Sequence, residues 1–412
     1  MNRSRVLISG AGIAGLTLAI QLKQHGFEPL VIERDRAPRT DGYMMDFFGT
    51  GWEVAERMGL TERLREIKYP IEALAFVNDD GDSYFAVPLT RIRAALDGHY
   101  IYLRRPDLER VLNERARELG IEIRYGVSLH RLHSMRDRVH LIYDNGRADD
   151  FDLVVGADGV HSCVRQLAFG PARQFMRFLG IYVAAFHLSS GGGRLNGMCK
   201  LFEETDRTTF FYPLDDTRMD ATYVFRHPER EVLPGQSLAF VRSQYRSGGW
   251  ITGDVLRDYS SDEPIYFDPA MMVVMPRWHR GRIALIGDAC GALTLLSGQG
   301  SHMAMAGAYV LAEQLARADN HREAFAAYQA AIKPHVDRKQ RESAAFANVF
   351  VPGKRSTPWL RRLAIKLMFG GLGLPLAMRW LGTRSVLPAR GNPTSAHSRA
   401  SGNPELHQPK FV

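Results

Sequence analysis

Gly10, Gly12 and Gly15, in the run Gly10-Ala11-Gly12-Ile13-Ala14-Gly15, follow the apolar stretch Val6-Leu7-Ile8 and open a second one, Leu16 to Leu22. This spacing suits a dinucleotide. Gly10 permits a tight turn out of a strand, Gly12 lets backbone approach a pyrophosphate, and Gly15 lets a helix pack closely on the strand. Unpaired N–H groups and the positive dipole end at the start of that helix favour phosphate. Glu33, eighteen positions beyond Gly15, is placed to accept hydrogen bonds from a ribose 2′-hydroxyl and disfavours a 2′-phosphate. The turn by itself leaves two ligands open, NAD as substrate or FAD as resident cofactor.

Three further runs bear on that choice. Arg105 stands just ahead of a predicted helix in Leu103-Arg104-Arg105-Pro106-Asp107-Leu108, Asp158-Gly159 ends one predicted strand, and Gly287-Asp288 ends another. Ligands of open α/β sheets bind outside the carboxyl ends of the strands, so these distant residues converge there. Taken singly, Asp158 reads as a turn aspartate and Asp288 as a helix N-cap. Together, Asp288 can bond a polyol, and Gly298-Gln299-Gly300 before a helix presents N–H groups to an electron-rich ring edge. A flavin has both the polyol and the ring edge.

With these three motifs in this order, roughly residues 5 to 345 resemble the FAD-dependent monooxygenases of the p-hydroxybenzoate hydroxylase type, which include ubiquinone-biosynthesis hydroxylases and tetracycline-modifying enzymes. The resemblance implies that Gly10, Gly12, Gly15 and Glu33 hold the ADP half of FAD, with Ile13, Ala14 and Arg34 among the cofactor-binding positions. It implies that Arg105 reaches the phosphates or ribityl chain, that Asp158 and Gly159 close the site, and that Asp288 binds ribityl hydroxyls. Gly298, Gln299, Gly300 and Ser301 would line the N1 and O2 edge of the isoalloxazine. In such enzymes NADPH or NADH reduces the flavin, and O2 then gives a C4a-hydroperoxide that transfers one oxygen atom. The cofactor performs this chemistry while the protein positions the substrate and excludes water. No acid/base pair is demanded, so no catalytic residue is assigned.

The chain departs from the family pattern after Asp288. It reads Ala289-Cys290-Gly291-Ala292-Leu293-Thr294, without the His-Pro that many relatives carry. Hydroxylation therefore stands beside epoxidation, Baeyer–Villiger-type insertion and dehydrogenation. A flavin dehydrogenase or reductase of the geranylgeranyl-reductase kind is the alternative enzyme, and a nucleotide-binding scaffold the non-enzymatic one. The Trp-x-Trp-x-Ile-Pro segment of flavin halogenases is missing. Among polar residues, Asp46 in Met44-Met45-Asp46-Phe47 is the best candidate for substrate contact, ahead of His187 and His227, which read as surface histidines. Phe175, Phe178, Tyr182, Phe186, Phe210, Phe211, Tyr212, Tyr223 and Phe225 suit a lipophilic or aromatic substrate, although alternating aromatics are more often core.

The elements that must position these groups form an α/β fold with an α+β insert. A Rossmann-like, parallel-sheet FAD-binding domain is expected over residues 1–170 and 268–350, interrupted at 171–267 by a mostly antiparallel substrate domain. A strand-helix-strand unit ends at Glu33, Asp41 to Phe48 reads as a loop, and helices are predicted over Gly51–Met58, Asp107–Leu119 and Ser301–Arg317. A basic helical segment, 351–386, and a disordered tail, 387–412, follow.

The 412 residues carry a formal net charge of +8, with 45% hydrophobic and 24% charged residues, as in an ordinary globular protein. No basic run interleaved with aromatics, zinc-finger spacing or helix-turn-helix signature points to nucleic acid. Cys163, Cys199 and Cys290 form no closely spaced pair, and no apolar signal region precedes the first strand, so a cytoplasmic location is expected. Trp359 to Arg384 holds five basic residues and no acid around the apolar run Leu367 to Met378, which is shorter than the roughly 20 residues needed to span a bilayer. Peripheral contact at the inner membrane face through 359–384, or plain packing on the flavin domain, are the two expectations for it.

Overall fold

The structure is a computed structural model, and it describes residues 4–228, 236–260, 265–294, 298–353, 357–370, 373–374 and 385–387. The apolar run Val6-Leu7-Ile8 becomes the strand Arg5–Ser9 at the centre of a six-stranded sheet. From one edge the order is His279–Arg280, Ile283–Leu285, Leu153–Gly156, Arg5–Ser9, Glu28–Glu33 and Glu122–Tyr125, all parallel except the two-residue edge strand. The chain leaves Arg5–Ser9 toward Glu28–Glu33 on one side and returns as Leu153–Gly156 on the other. That reversal opens a crevice at the carboxyl ends of the two central strands.

Helix Ile13–Gln24 follows the first strand and is buried along ten of its residues, Ile13 to Leu22. It packs chiefly on helix Gly300–Arg317, which starts one residue before the sequence prediction. Gly10 and Gly15 are dictated by the close approach of the turn and the helix start to each other and to the loop after Leu153–Gly156. Gly10 has φ +114°, and a Cβ there would lie 2.4 Å from the Ala157 carbonyl oxygen; a Cβ on Gly15 would lie 1.9 Å from the carbonyl oxygen of Gly10.

Asp41–Phe48 is not wholly loop, because Met44–Phe48 is a strand paired antiparallel with Tyr100–Arg104. Four of its five residues, Met44, Met45, Phe47 and Phe48, are buried, so the strand shows no apolar/polar alternation by which sequence could reveal it.

The second large sheet has seven strands, ordered Tyr266–Val273, Met176–Leu188, Met219–Arg226, Arg207–Pro213, Met198–Glu204, Ala73–Val77 and Ser83–Pro88. It is wider than the 171–267 insert. The pair Ala73–Val77 and Ser83–Pro88 comes from the N-terminal half and joins through a parallel contact with Met198–Glu204. Tyr266–Val273 runs across the expected boundary at 267/268.

The two faces of this sheet have different tasks. Tyr182, Phe186, Phe211, Tyr223 and Phe225 point to a core closed by helices Ser237–Gln244 and Thr252–Asp258, through Val241, Tyr245, Val255 and Leu256. The intervening Val183, Phe210, Tyr212, Thr222 and Val224 face the flavin half of the molecule and line a cavity. Period-two alternation thus divides the aromatic residues into a core set and a site set. Phe175 packs on the main core instead, and Phe178 bridges the main core and the helix-closed one through Tyr182, with ring centroids 5.5 Å apart.

Helix Pro358–Phe369 lies on the Ala73–Ser83 edge, where Phe369 meets Phe76 with ring centroids 6.2 Å apart and Arg361 pairs with Glu203. The expected tail 387–412 after Leu387, and residues 371–372 and 375–384 of the expected basic segment 351–386, fall outside the described residues.

Removing the fully buried Phe211 ring should test the division of faces. Phe211→Ala should destabilise the protein by about 3–5 kcal/mol in denaturant titrations and leave bound-flavin absorbance unchanged. Tyr212→Phe, one residue along, should do the reverse, altering substrate turnover with little effect on stability.

Candidate functional site

Two adjoining cavities occupy the crevice, of about 570 Å³ and about 320 Å³. They share Gly12, Arg34, Arg39, Arg105, Asp158, Gly159 and His161, so they form one trough. The larger is lined by Gly10, Gly12, Glu33 and Arg34, and the smaller by Ile13, Ala14, Asp46, Asp288, Gly298, Gly300 and Ser301. Residues from every predicted motif therefore meet along a single channel. Gly15 and Gln299 border neither cavity; Gly15 serves packing, and Gln299 accepts a hydrogen bond from Lys339.

Backbone sets the first end. Glu33 accepts from Ala11 N at 2.8 Å through Oε2 and from Asp35 N at 3.1 Å through Oε1, which fixes the glycine turn against the second strand while leaving lone pairs toward the cavity. Arg39, which no sequence motif marks, is held at 2.9 Å by Asp35. Its position in a short loop after the second strand was the available signal.

Asp158 accepts from Val164 N at 3.0 Å and from Ser162 Oγ, so its carboxylate ties the Asp-Gly loop to helix Cys163–Phe169. Burial raises its pKa, and those hydrogen bonds oppose the rise. Arg165, fully buried, donates to Val160 O at 2.6 Å and to Ala289 O at 3.0 Å. It clamps the Asp-Gly loop to the Gly-Asp loop. Sequence offered no sign of this role, because a lone arginine in a helix reads as surface.

Arg105 begins helix Arg105–Glu118, its backbone N–H bonded to Tyr43 O at 3.0 Å and its guanidinium paired with Glu109 at 3.0 Å. Burial opposes its charge, but Glu109, Tyr43, Tyr266 and Asp288 raise its pKa well above the ordinary value. Asp288 is the first residue of its short helix and Gly287 takes the N-cap, so the capping reading does not apply. Burial lifts the Asp288 carboxyl, while Arg105 pulls it down. Asp268, on the cavity side of strand Tyr266–Val273, is pushed up to about 6 by burial, with Asp288 adding and Tyr266, Arg105 and Arg39 opposing.

At the far end of the smaller cavity, Asp46 accepts from Tyr100 OH and stands opposite Tyr102 across the two-stranded ladder. Burial raises its pKa, countered by hydrogen bonds from Tyr100 and Tyr102. Tyr212 approaches from the large sheet, its ring 6.0 Å from that of Tyr102. His187 lies elsewhere, paired with Asp220 at 3.2 Å, and His227 packs on Phe240. Neither borders the trough.

The residues present fit FAD. Gly12 and Gly300 have no positive φ, and among the described residues the nearest atom to an added Cβ is 3.7 Å away at Gly12, with none within 4 Å at Gly300. Neither backbone conformation nor protein packing requires glycine at these positions. Both border the trough, where an added side chain would project toward a pyrophosphate and a ring edge. The first half offers a helix N-terminus and arginines for phosphates, and the second a carboxylate for a polyol.

A profile of the FAD binding domain family matches residues 3–343, and the chain belongs to that family. An uncharacterized protein of Mycobacterium tuberculosis is 33% identical over 350 residues, spanning 81% of this chain and 91% of its own. A flavin-dependent monooxygenase from an unknown prokaryotic organism is 30% identical over 343 residues, 82% of this chain and 88% of that one. The crystal structure of tetracycline destructase Tet(55) superposes with a TM-score of 0.78 at 26% identity, covering 94% of this chain and all of the other. The resemblance to monooxygenases of the p-hydroxybenzoate hydroxylase type holds at the level of family and fold, and the cofactor is FAD.

Gly300→Ala should separate folding from cofactor binding. Alanine in the first helical turn should leave the apoprotein as stable or up to about 1 kcal/mol more stable. FAD affinity should fall at least about tenfold by fluorescence titration; unchanged affinity would remove the cofactor from this wall of the trough.

Proposed function

We propose that the smaller cavity oxygenates a small lipophilic or aromatic molecule whose polar group bonds to Asp46. The underlying activity is FAD-dependent monooxygenation with NAD(P)H as the reductant typical of the family, and relatives spanning four-fifths of the chain carry that name. The reductase alternative is not favoured. The observation that carries the substrate reading is the lining of the 320 Å³ cavity: Gly298, Gly300 and Ser301 from the flavin half, and Met44, Met45, Val183, Phe210 and Val224 from the other walls, with the Asp46 carboxylate among them.

FAD, when bound, supplies the two-electron chemistry that takes up reducing equivalents from NAD(P)H and activates O2. The chain's own residues do the rest. Gly10, Gly12, Ile13, Ala14, Glu33, Arg34 and Arg105 hold the nucleotide and pyrophosphate end, Asp288 the polyol, and Gly298 to Ser301 the ring edge. Apolar walls exclude water from the reacting centre. Tyr100 and Tyr102 hydrogen-bond to Asp46 and hold its carboxylate in place, so that it accepts a further hydrogen bond from the substrate and orients it against the flavin-facing wall. Gly15 and Gln299 support the glycine turn and the glycine loop from behind.

Turnover under labelled O2 with NADPH or NADH should place one labelled oxygen atom in the product. NAD(P)H consumption with no label in any product would contradict the proposal. Asp46→Asn should lower kcat/KM by roughly 10- to 100-fold, the loss of one hydrogen bond to a charged group.

We also propose that helix Pro358–Phe369 brings the enzyme to an anionic membrane surface from the cytoplasmic side. Its inner side is held by Ile365, which is buried, and by Arg361 on Glu203, while Trp359, Leu360, Leu363 and Leu367 are exposed, Leu367 by 68%. Arg362 and Lys366 flank this apolar stripe, a pattern suited to an interfacial helix. Among the described residues no helix is long and apolar enough to cross a membrane. Leu363→Glu with Leu367→Glu should reduce co-sedimentation with anionic vesicles at least about tenfold. Failure of the unaltered protein to co-sediment would dismiss the idea.

A further inference from the structure

Lys339, on the long helix His321–Phe350, is only 6% exposed. Its ammonium donates to Oε1 of Gln299, a neutral amide, and it takes part in no ion pair with a described carboxylate. The charged and titratable groups around it are few. Arg338 and Glu342, on its own helix, pair with each other at 3.9 Å, and His335 lies one turn back. On the facing helix, His302 is held neutral, its pKa pushed down to about 4 by burial and by Lys339 itself. Burial pushes the Lys339 pKa down, Glu342 opposes this, and Arg338 adds to it.

A buried ammonium without a counterion is costly, and it persists where an anion compensates it in the working state of the protein. The position of the amide shows where that anion belongs. Gln299 sits between Gly298 and Gly300, both of which line the smaller cavity, at the start of helix Gly300–Arg317. Hydride transfer from a nicotinamide delivers two electrons and one proton, so the reduced ring system gains one net negative charge, carried on its N1 and O2 side. The N–H groups at the helix start offer partial positive charge to that edge, but no full one.

We propose that Lys339, acting through Gln299, is the resident cation that stabilises the negative charge of the reduced flavin, and that it thereby sets how readily NAD(P)H reduces the cofactor. Lys339 is a positioning and electrostatic residue that does not itself touch the reacting atoms. The proposal rests on the placement of Gly298 to Ser301 against the ring edge, so the test must read cofactor binding and cofactor potential separately.

The experiment is dye-equilibrated reductive titration of the FAD-loaded protein, together with FAD titration of the oxidised protein, for the wild type, Lys339→Met and Lys339→Arg. Lys339→Met should bind oxidised FAD within about threefold of wild type but weaken the reduced form at least tenfold more. For a two-electron couple each tenfold is a shift of about 30 mV to more negative potential. Lys339→Arg should keep most of the wild-type potential. A potential unmoved in Lys339→Met that still holds FAD overturns the proposal.

If Lys339→Met does not retain FAD, the wild type decides. A reduced flavin kept anionic takes up one proton per two electrons, so its potential should change by about 30 mV per pH unit just below neutrality, whereas about 60 mV per unit would contradict the proposal. A wild-type protein that binds no FAD would contradict the flavin reading itself, a result distinct from either of these.

Discussion

The close approach of the Gly10–Gly15 turn to the loop after Leu153–Gly156 is the constraint on which the rest depends. Parallel pairing of the two central strands brings Gly10 so near Ala157 that no side chain fits between them. From that contact the helix N-terminus, Glu33, Asp158 and Gly159 all take their places along one channel. Arg165 extends the same tie to Ala289, so three loops far apart in sequence behave as one rim. Its guanidinium is bonded to carbonyl groups through both terminal nitrogens while Nε has no hydrogen-bond partner among the described residues, so its burial is costly. What that burial achieves is to hold two ligand loops in register.

The division of labour across the seven-stranded sheet follows from alternation alone. One face is sealed by helices and gives the sheet stability, and the other stays open toward the flavin half and gives the site its apolar wall. The polar floor comes from a separate element, the two-stranded ladder of Met44–Phe48 and Tyr100–Arg104, where Asp46, Tyr100 and Tyr102 meet. Substrate preference and cofactor binding thus rest on different pieces of chain. This arrangement allows the substrate side to vary while the glycine motifs stay fixed.

Much of this was legible in the residues. The glycine turn, the central strands and the long helix after Gly298 have strong local signatures, and the predicted cofactor residues Gly10, Gly12, Glu33, Arg105, Asp158, Asp288 and Gly300 do line one trough. What escaped was decided by tertiary context. Met44–Phe48 is buried on both faces and shows no period, and Ala73–Pro88 joins a sheet formed more than a hundred residues later. Arg165 and Lys339 look like ordinary helix-surface cations until the fold buries them. Phe210 and Phe211 are alike in type, and only the strand's orientation places Phe210 in the cavity and Phe211 in the core.

In the arrangement proposed above, one resident FAD spans both cavities, with its phosphates at the Gly12 turn and its ring between Gly298–Ser301 and the apolar face of the large sheet. A crystal structure of the FAD-loaded protein tests this most directly. Adenosine density is expected beside Glu33, a polyol within hydrogen-bond distance of Asp288, and the ring edge against the backbone of Gly298 to Gly300. Density for FAD outside this trough, or a ring turned away from Val183, Phe210 and Val224, would contradict it.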